Sequence, residues 1–271
     1  MSKVTIFGSS GFVGSNLKTK LDELGFDVYC PSREDSDFNS NEDLGVVVYC
    51  SGNGNCGSEP LSVLNANVNR LTDVLCLDNY KRIIYLSSTR IYMGSNSSNE
   101  FSDNVVKESD DRILFNLTKM IGEELCLKLG RDPIVLRPSN IYGLAKNSKL
   151  FLPSITRDAI NKKEVNMYVS PSYSKDYISV NDLVSVIVQL IIKEKINKRV
   201  LNVAYGKNVT AQNIVNVLID KTKCNVNWIT KSEDDYFPET EITELKSEVS
   251  FEPSSVIEDL EKLIDDFKEV I

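Results

Sequence analysis

Residues 4–14 read Val-Thr-Ile-Phe-Gly-Ser-Ser-Gly-Phe-Val-Gly, and this stretch narrows the fold more than any other. An apolar run stops at Gly8, glycines recur at 11 and 14, and an amphipathic run follows from Ser15 to Leu24. The pattern predicts a buried strand, a tight glycine turn and the start of a helix. Such a turn brings backbone close to a pyrophosphate and aims the N–H groups of a helix N-terminus at it. Gly8 and Gly11 are expected to make the turn and admit phosphates, and Gly14 to let the helix pack close to the strand. Gly8, Ser10, Gly11, Phe12, Val13 and Gly14 are therefore the candidate dinucleotide contacts. Taken alone, the triplet also fits a strand–helix turn with no ligand. Its place directly after an N-terminal strand is where nucleotide-binding folds usually begin.

The rest of the composition limits the chemistry. With 271 residues, the chain suits one large domain or a domain with a small appendage. Its 31 basic and 39 acidic residues give a net charge of -8, which argues against nucleic acid and anionic membranes as partners. A phosphorylated small molecule is still compatible, because backbone N–H groups and a few local cations can hold one. No apolar run approaches the roughly 18 residues of a membrane span, and no signal peptide is expected. The six cysteines form no CxxC pair and read as reduced thiols of a cytoplasmic protein. There is no histidine, so histidine triads, histidine metal sites and imidazole acid–base chemistry are excluded, and no metal is expected. Proton transfer must use Tyr, Lys, Ser, Thr, Cys, Asp, Glu or water.

Strand and helix patterns alternate through the first half. Strands are expected at Asp27–Cys30, Gly45–Cys50, Arg82–Leu86 and Ile134–Leu136, and helices at Leu61–Leu77 and Arg112–Leu129. About fifteen residues separate the second and third strands, too few for a full crossover helix. The second half is looser, with helices expected at Ser154–Lys162, Val180–Lys193 and Thr210–Thr222, strands at Arg199–Ala204 and Val226–Ile229, and a helix start capped by Ser255 and Glu258. The expected fold class is α/β: a Rossmann-like, doubly wound parallel sheet with a small C-terminal substrate-binding lobe. Residues 1–145 would be mainly the dinucleotide domain and 146–271 mainly the lobe, with 175–205 returning to the dinucleotide domain.

Four further stretches carry the chemistry: Tyr85-Leu86-Ser87-Ser88-Thr89-Arg90-Ile91-Tyr92, Phe115-Asn116-Leu117-Thr118-Lys119, Leu136-Arg137-Pro138-Ser139-Asn140-Ile141-Tyr142-Gly143 and Lys175-Asp176-Tyr177-Ile178-Ser179-Val180-Asn181-Asp182. With the N-terminal glycines they resemble the extended short-chain dehydrogenase/reductase family of sugar-nucleotide epimerases, dehydratases and ketoreductases. The resemblance spans most of the chain to about residue 205. It implies hydride transfer at a sugar carbon. In the family a Tyr four residues before a Lys exchanges the proton, the Lys tunes it and holds the nicotinamide ribose, and a Ser or Thr hydroxyl bonds the reacting carbonyl. Carried over, the Lys is Lys119 and the hydroxyl is Ser88. The Tyr position is Phe115, which has no proton to exchange. Three readings of Phe115 stand open: an engineered Tyr-to-Phe exchange that holds substrate without turnover, a natural enzyme drawing on Ser88, Thr89 or an ordered water, and a natural binding protein without catalysis.

Thr89 and Arg90 stand where the sugar dehydratases place a base, which disfavours dehydration. Arg90 also stands where the epimerase/reductases place a Cys. That leaves 4-epimerisation with a retained NAD, or reduction of a 4-keto sugar by NADPH. After the second strand, Ser32 and Arg33 can meet a 2′-phosphate, with Asp37 near the adenine. This resembles the 4-ketoreductases of the GDP-fucose synthase kind, so the sequence favours NADP(H) and ketoreduction, with NAD and epimerisation as the alternative. A non-catalytic NADP-binding sensor is the alternative from another class. The implied partner is a nucleoside diphosphate sugar, contacted by Ser88, Thr89, Arg90, Asn140 and Lys175, with the Leu150–Ile155 segment flanking the base. A homodimer is expected.

Overall fold

The computed structural model describes residues 2–32, 42–145, 148, 150–229 and 235–270. The β-branched run at the N-terminus forms β1 (Lys3–Phe7), whose last four residues are buried. Helix α1 (Phe12–Glu23) follows and buries Gly14, Leu17 and Leu21, three or four residues apart, as one helix face requires. The next strands are β2 (Asp27–Tyr29) and β3 (Gly45–Tyr49).

One continuous helix was expected over 61–77. The chain instead forms α2 (Pro60–Leu64), a π turn (Asn65–Asn69) and α3 (Arg70–Leu75). Buried Asn67 accounts for the interruption. Its amide accepts from the Asn53 N–H at 3.0 Å and donates to the Asn53 carbonyl at 3.1 Å and the Thr118 hydroxyl at 2.9 Å. A wide turn presents that side chain inward and pins the loop after β3.

Strand β4 (Tyr80–Leu86) leads into a 3₁₀ turn (Thr89–Tyr92), then α4 (Ile113–Leu129), β5 (Ile134–Pro138) and the short β6 (Asn140–Tyr142). Beyond these lie α5 (Phe151–Asn161), β7 (Glu164–Met167), β8 (Ser174–Lys175), β9 (Tyr177–Ser179), α6 (Val180–Ile192) and β10 (Val200–Val203). The chain ends with β11 (Val209–Thr210), α7 (Ala211–Thr222), β12 (Asn225–Trp228), α8 (Thr243–Glu248) and α9 (Val256–Val270). The little strands β6, β8 and β9 have only two or three residues each, too few to show a period, so the sequence did not reveal them.

The main sheet has the order β2-β1-β3-β4-β5-β10, and every pairing is parallel. This is the expected Rossmann-like α/β sheet. From β1 the chain passes through α1 to β2 on one side and reappears as β3 on the other. The reversal opens a crevice beyond the carboxyl ends of β1 and β3, where ligands of such sheets bind. Register aligns these ends: Phe7 lies opposite Tyr49, and Tyr49 opposite Tyr85.

One apolar cluster packs α1 and the almost wholly apolar α6 against the sheet. A separate cluster fills the space between α5, α7, α9 and the parallel pair β7–β12. The two halves are joined by β10, which pairs with β5, and by β9, which pairs with β6. A buried Arg137–Glu123 ion pair at 2.6 Å locks β5 to α4. All six cysteines are free thiols. Among the described residues, no helix is long and apolar enough to cross a membrane.

Candidate active site

The glycine turn works largely as its spacing suggests. Gly8 has φ +85°, and a Cβ there would lie 2.6 Å from the Ser51 nitrogen, so side chain and backbone direction both require glycine. A Cβ on Gly14 would lie 2.2 Å from the Gly8 carbonyl oxygen, which is what lets α1 close on the turn. Gly11 closes the turn by donating its N–H to the Gly8 carbonyl at 3.0 Å; its φ of −77° is open to other residues, but a Cβ there would lie 3.2 Å from the Gly8 carbonyl oxygen. Helix α1 has no side-chain cap and no acid in its first turn. Its first N–H groups therefore suit a pyrophosphate. The Phe12 ring packs against the main core and Gly143 and lines neither cavity described below. Gly14 likewise lines neither cavity and acts through packing.

A groove crosses the carboxyl ends of the strands as two cavities of about 590 and 380 Å³, which share Cys50, Gly52 and Asn53. Gly8, Ser10, Gly11 and Ser32 line the larger. Val13, Ser88, Thr89, Arg90, Phe115, Lys119, Asn140 and Lys175 line the smaller. The fold thus gathers most residues chosen from the sequence into one groove. Arg33 and Asp37 lie outside the described residues.

Ser88 follows β4 by two residues and caps the 3₁₀ turn, its hydroxyl accepting the Arg90 N–H at 3.1 Å. Phe115 and Lys119 share one face of α4, as the i, i+4 spacing requires. The buried Lys119 ammonium donates to the Leu86 carbonyl at 2.8 Å, 5.8 Å from the Phe115 ring centre and 5.1 Å from that of Tyr85. Burial lowers its pKa to about 8, against the pull of Glu123. The Phe115 ring occupies the wall where a phenol is expected, and the Arg112 guanidinium carbon lies 4.8 Å from its centre.

Lys175 also lines the smaller cavity. Lys175 stacks its ammonium over Phe237 at 4.6 Å and Tyr173 at 5.1 Å. Burial first, and then the charges of Arg90 and Arg112, lower its pKa to about 8. Asn140 does not point only at substrate, since its amide donates to the Asp176 carbonyl at 2.8 Å. The Asp176 carboxylate accepts the N–H groups of Tyr205 and Gly206 at 2.9 and 2.7 Å, while burial raises its pKa to about 6.

Sequence reasoning missed Arg112, Asp110, Phe237 and Arg70. Arg112 was accessible in principle, because it stands one helical turn before Phe115. Phe237 had no such signal, since it reaches the groove through tertiary folding alone. Arg70 lines the larger cavity and reaches the Ser32 carbonyl at 3.5 Å.

A family model described as NAD dependent epimerase/dehydratase family matches residues 4–204. The chain is similar in structure to MoeE5 in complex with UDP-glucuronic acid and NAD, with TM-score 0.86, 17% identity, and 99% of this chain and 100% of that chain covered. It is similar to a tyrosine-to-phenylalanine mutant of UDP-glucuronic acid 4-epimerase from Bacillus cereus in complex with UDP-4-deoxy-4-fluoro-glucuronic acid and NAD. There the TM-score is 0.85 and the identity 16%, with 99% and 100% covered. It is also similar to TunA, an NAD dependent NDP-hexosamine 5,6-dehydratase, with TM-score 0.87, 14% identity, and 100% and 99% covered. At these identities the likeness is one of fold. No curated protein matches the sequence.

Proposed function

We propose a function from one premise: the chain belongs to the NAD dependent epimerase/dehydratase family. On that premise it holds NAD along the groove and a nucleoside diphosphate sugar over Ser88, Phe115 and Lys119, as a 4-epimerase-type enzyme. The observation that carries this reading is that the cavity at the glycine turn adjoins the cavity at Ser88 and Lys119, with Cys50, Gly52 and Asn53 lining both. The open N-terminus of α1 suits a pyrophosphate, and Lys119 at the other end suits a ribose hydroxyl. When bound, the nicotinamide would supply a reversible hydride acceptor.

The chain's own residues would do the rest. Ser88 would hydrogen-bond the reacting oxygen, and Lys175 would face the diphosphate. Because Phe115 cannot exchange a proton, Ser88, Thr89 or an ordered water would take the proton of the sugar hydroxyl. Lys119, with its pKa near 8, is a further group able to exchange one near neutral pH.

The sequence favoured NADPH and 4-ketoreduction. That preference rested on Ser32, Arg33 and Asp37, whereas two of the three similar solved structures named above hold NAD and the third is an NAD-dependent enzyme. NAD and epimerisation are therefore our main reading. Ketoreduction stays as the second, favoured by one observation: Arg70 and Ser32 stand together at the larger cavity, suited to a 2′-phosphate. A homodimer belongs to the same proposal.

The test is to release and identify the nucleotide that copurifies with the protein, then to incubate wild type and Phe115→Tyr with nucleotide sugars. Sugar inversion with no net cofactor consumption is the expected result in the Tyr form. Stoichiometric NADPH loss with a 4-keto sugar would replace the epimerase with the reductase. If NAD binds and neither form turns over any sugar, the enzyme reading fails and a binding protein takes its place.

A further inference from the structure

Lys175 stands in the two-residue strand β8, opposite Val209 of β11, and lines the smaller cavity. Among the described residues its ammonium has no ion pair and no hydrogen bond. Its neighbours are two ring faces, Phe237 at 4.6 Å and Tyr173 at 5.1 Å. Lys119, on the same cavity, is held differently: it is 5% exposed, and its ammonium is committed to the Leu86 carbonyl at 2.8 Å.

The carboxylates that face Lys175 are engaged elsewhere. Asp110 accepts from the Arg90 guanidinium at 2.6 Å, the Asn116 amide at 2.8 Å and the Arg112 N–H at 2.9 Å. Asp176 accepts the Tyr205 and Gly206 N–H groups, and Asp235 pairs with Lys107 at 3.4 Å. Arg90 and Arg112 line the same cavity, and their charges oppose a third cation there. The two rings favour the ammonium form. Burial and the arginines outweigh them, which is why the pKa falls to about 8. At pH 7.5 about a quarter of this amine is neutral, against about a thousandth for a lysine at the ordinary 10.5, a gain of about 200-fold in nucleophile. A desolvated lysine beside other cations is the setting that activates an amine toward carbonyl carbon.

We propose that Lys175 is a nucleophilic amine that condenses with small anionic aldehydes or ketones entering this cavity when no sugar nucleotide fills it. The ammonium sheds a proton, and the neutral amine adds its lone pair to the carbonyl carbon. The carbonyl oxygen becomes the hydroxyl of a carbinolamine, takes up the shed proton and leaves as water. One ammonium and one carbonyl thus give one protonated imine and one water, with no oxidant or reductant. The ligand is anionic because Arg90 and Arg112 share the cavity, and the buried Arg90 Nε has no hydrogen-bond partner among the described residues. Such an N–H is costly unless a ligand meets it. The step draws no proton from position 115, so it does not depend on the sugar reaction proposed above.

The experiment incubates the full chain with pyridoxal 5′-phosphate, an aldehyde that carries a phosphate, at pH 7.5. Sodium cyanoborohydride reduces each imine to a stable secondary amine, and peptide mapping by mass spectrometry follows the label at every lysine. Lys175 should be labelled at least about tenfold faster than any other lysine, Lys119 included. Pyridoxal, with the same aldehyde and no phosphate, should label Lys175 about tenfold more slowly. Lys175→Arg, which keeps the charge and has no amine to add, should lose the fast site while the other lysines keep their rates. Labelling spread evenly over the lysines of the wild type, or fastest at Lys119, overturns the proposal. So do equal rates at Lys175 with the two aldehydes, because the arginines would then select nothing. The mapping is made on the wild type, so these results do not depend on the variant folding.

Discussion

Lys119→Met should stabilise the folded chain at neutral pH, and the size of the effect follows from burial. The lysine is 5% exposed, and its pKa falls from the ordinary 10.5 to about 8. A group whose folded pKa lies below its unfolded value adds stability above the unfolded value and loses it as pH drops through the folded one. Between pH 10.5 and about 8 the unfolded chain keeps a proton that the folded chain has shed. Over that window stability therefore rises with pH, by about 1.4 kcal/mol per pH unit. The full window amounts to about 3 kcal/mol, which is the cost of holding the ammonium in the groove at pH 7. Methionine keeps an unbranched side chain one atom shorter and removes the charge. It also gives up the hydrogen bond to the Leu86 carbonyl, worth about 1 kcal/mol. The variant should thus gain about 2 kcal/mol at pH 7, and the gain should shrink as pH rises and vanish before pH 10. Urea unfolding of both proteins at each pH from 7 to 10 measures the difference. Parallel stability curves for wild type and Lys119→Met would show that this lysine does not titrate differently in the two states, and the reasoning would fail.

Three further substitutions test other parts of the structure. Gly14→Ala should cost about 1–3 kcal/mol in urea unfolding and weaken NAD binding in a fluorescence titration, because its Cβ would overlap the Gly8 carbonyl. Arg137→Met should cost about 3–5 kcal/mol by leaving Glu123 buried and unpaired, and adding Glu123→Gln should recover much of it in the same unfolding assay. In a Phe115→Tyr background that turns over, Ser88→Ala should lower kcat by about 100-fold and leave NAD affinity unchanged. Unchanged turnover would remove Ser88 from the chemistry.

How far the sequence reveals this site depends on whether the geometry is local. The glycine turn, the strand ends and the Phe115–Lys119 pair are legible because spacing along one element fixes them. For Phe12 the same spacing does not say where the ring lies, and the fold places it against the core. The π turn was illegible, since Asn67 earns its inward position only by meeting Asn53 and Thr118 from other elements. The acidic 234–250 region hid Phe237, which the fold carries across to cover Lys175. Short strands such as β8 exist only because β11 pairs with them.

Phe115 gains a physical meaning from its neighbours that the sequence could not supply. A phenol at this position would have the Arg112 guanidinium against its face and the Lys119 ammonium close by. Both charges favour phenolate, so the surroundings are already poised to lower a tyrosine's pKa. With phenylalanine, the same cations have only the weak attraction of a ring face. The wall of the groove keeps its shape and its positive field while losing one exchangeable proton. Binding of an anionic sugar nucleotide depends on the shape and the field. Rapid turnover depends on the proton as well. Phenylalanine at this position therefore separates affinity from chemistry, which is why the Phe115→Tyr comparison reads catalysis.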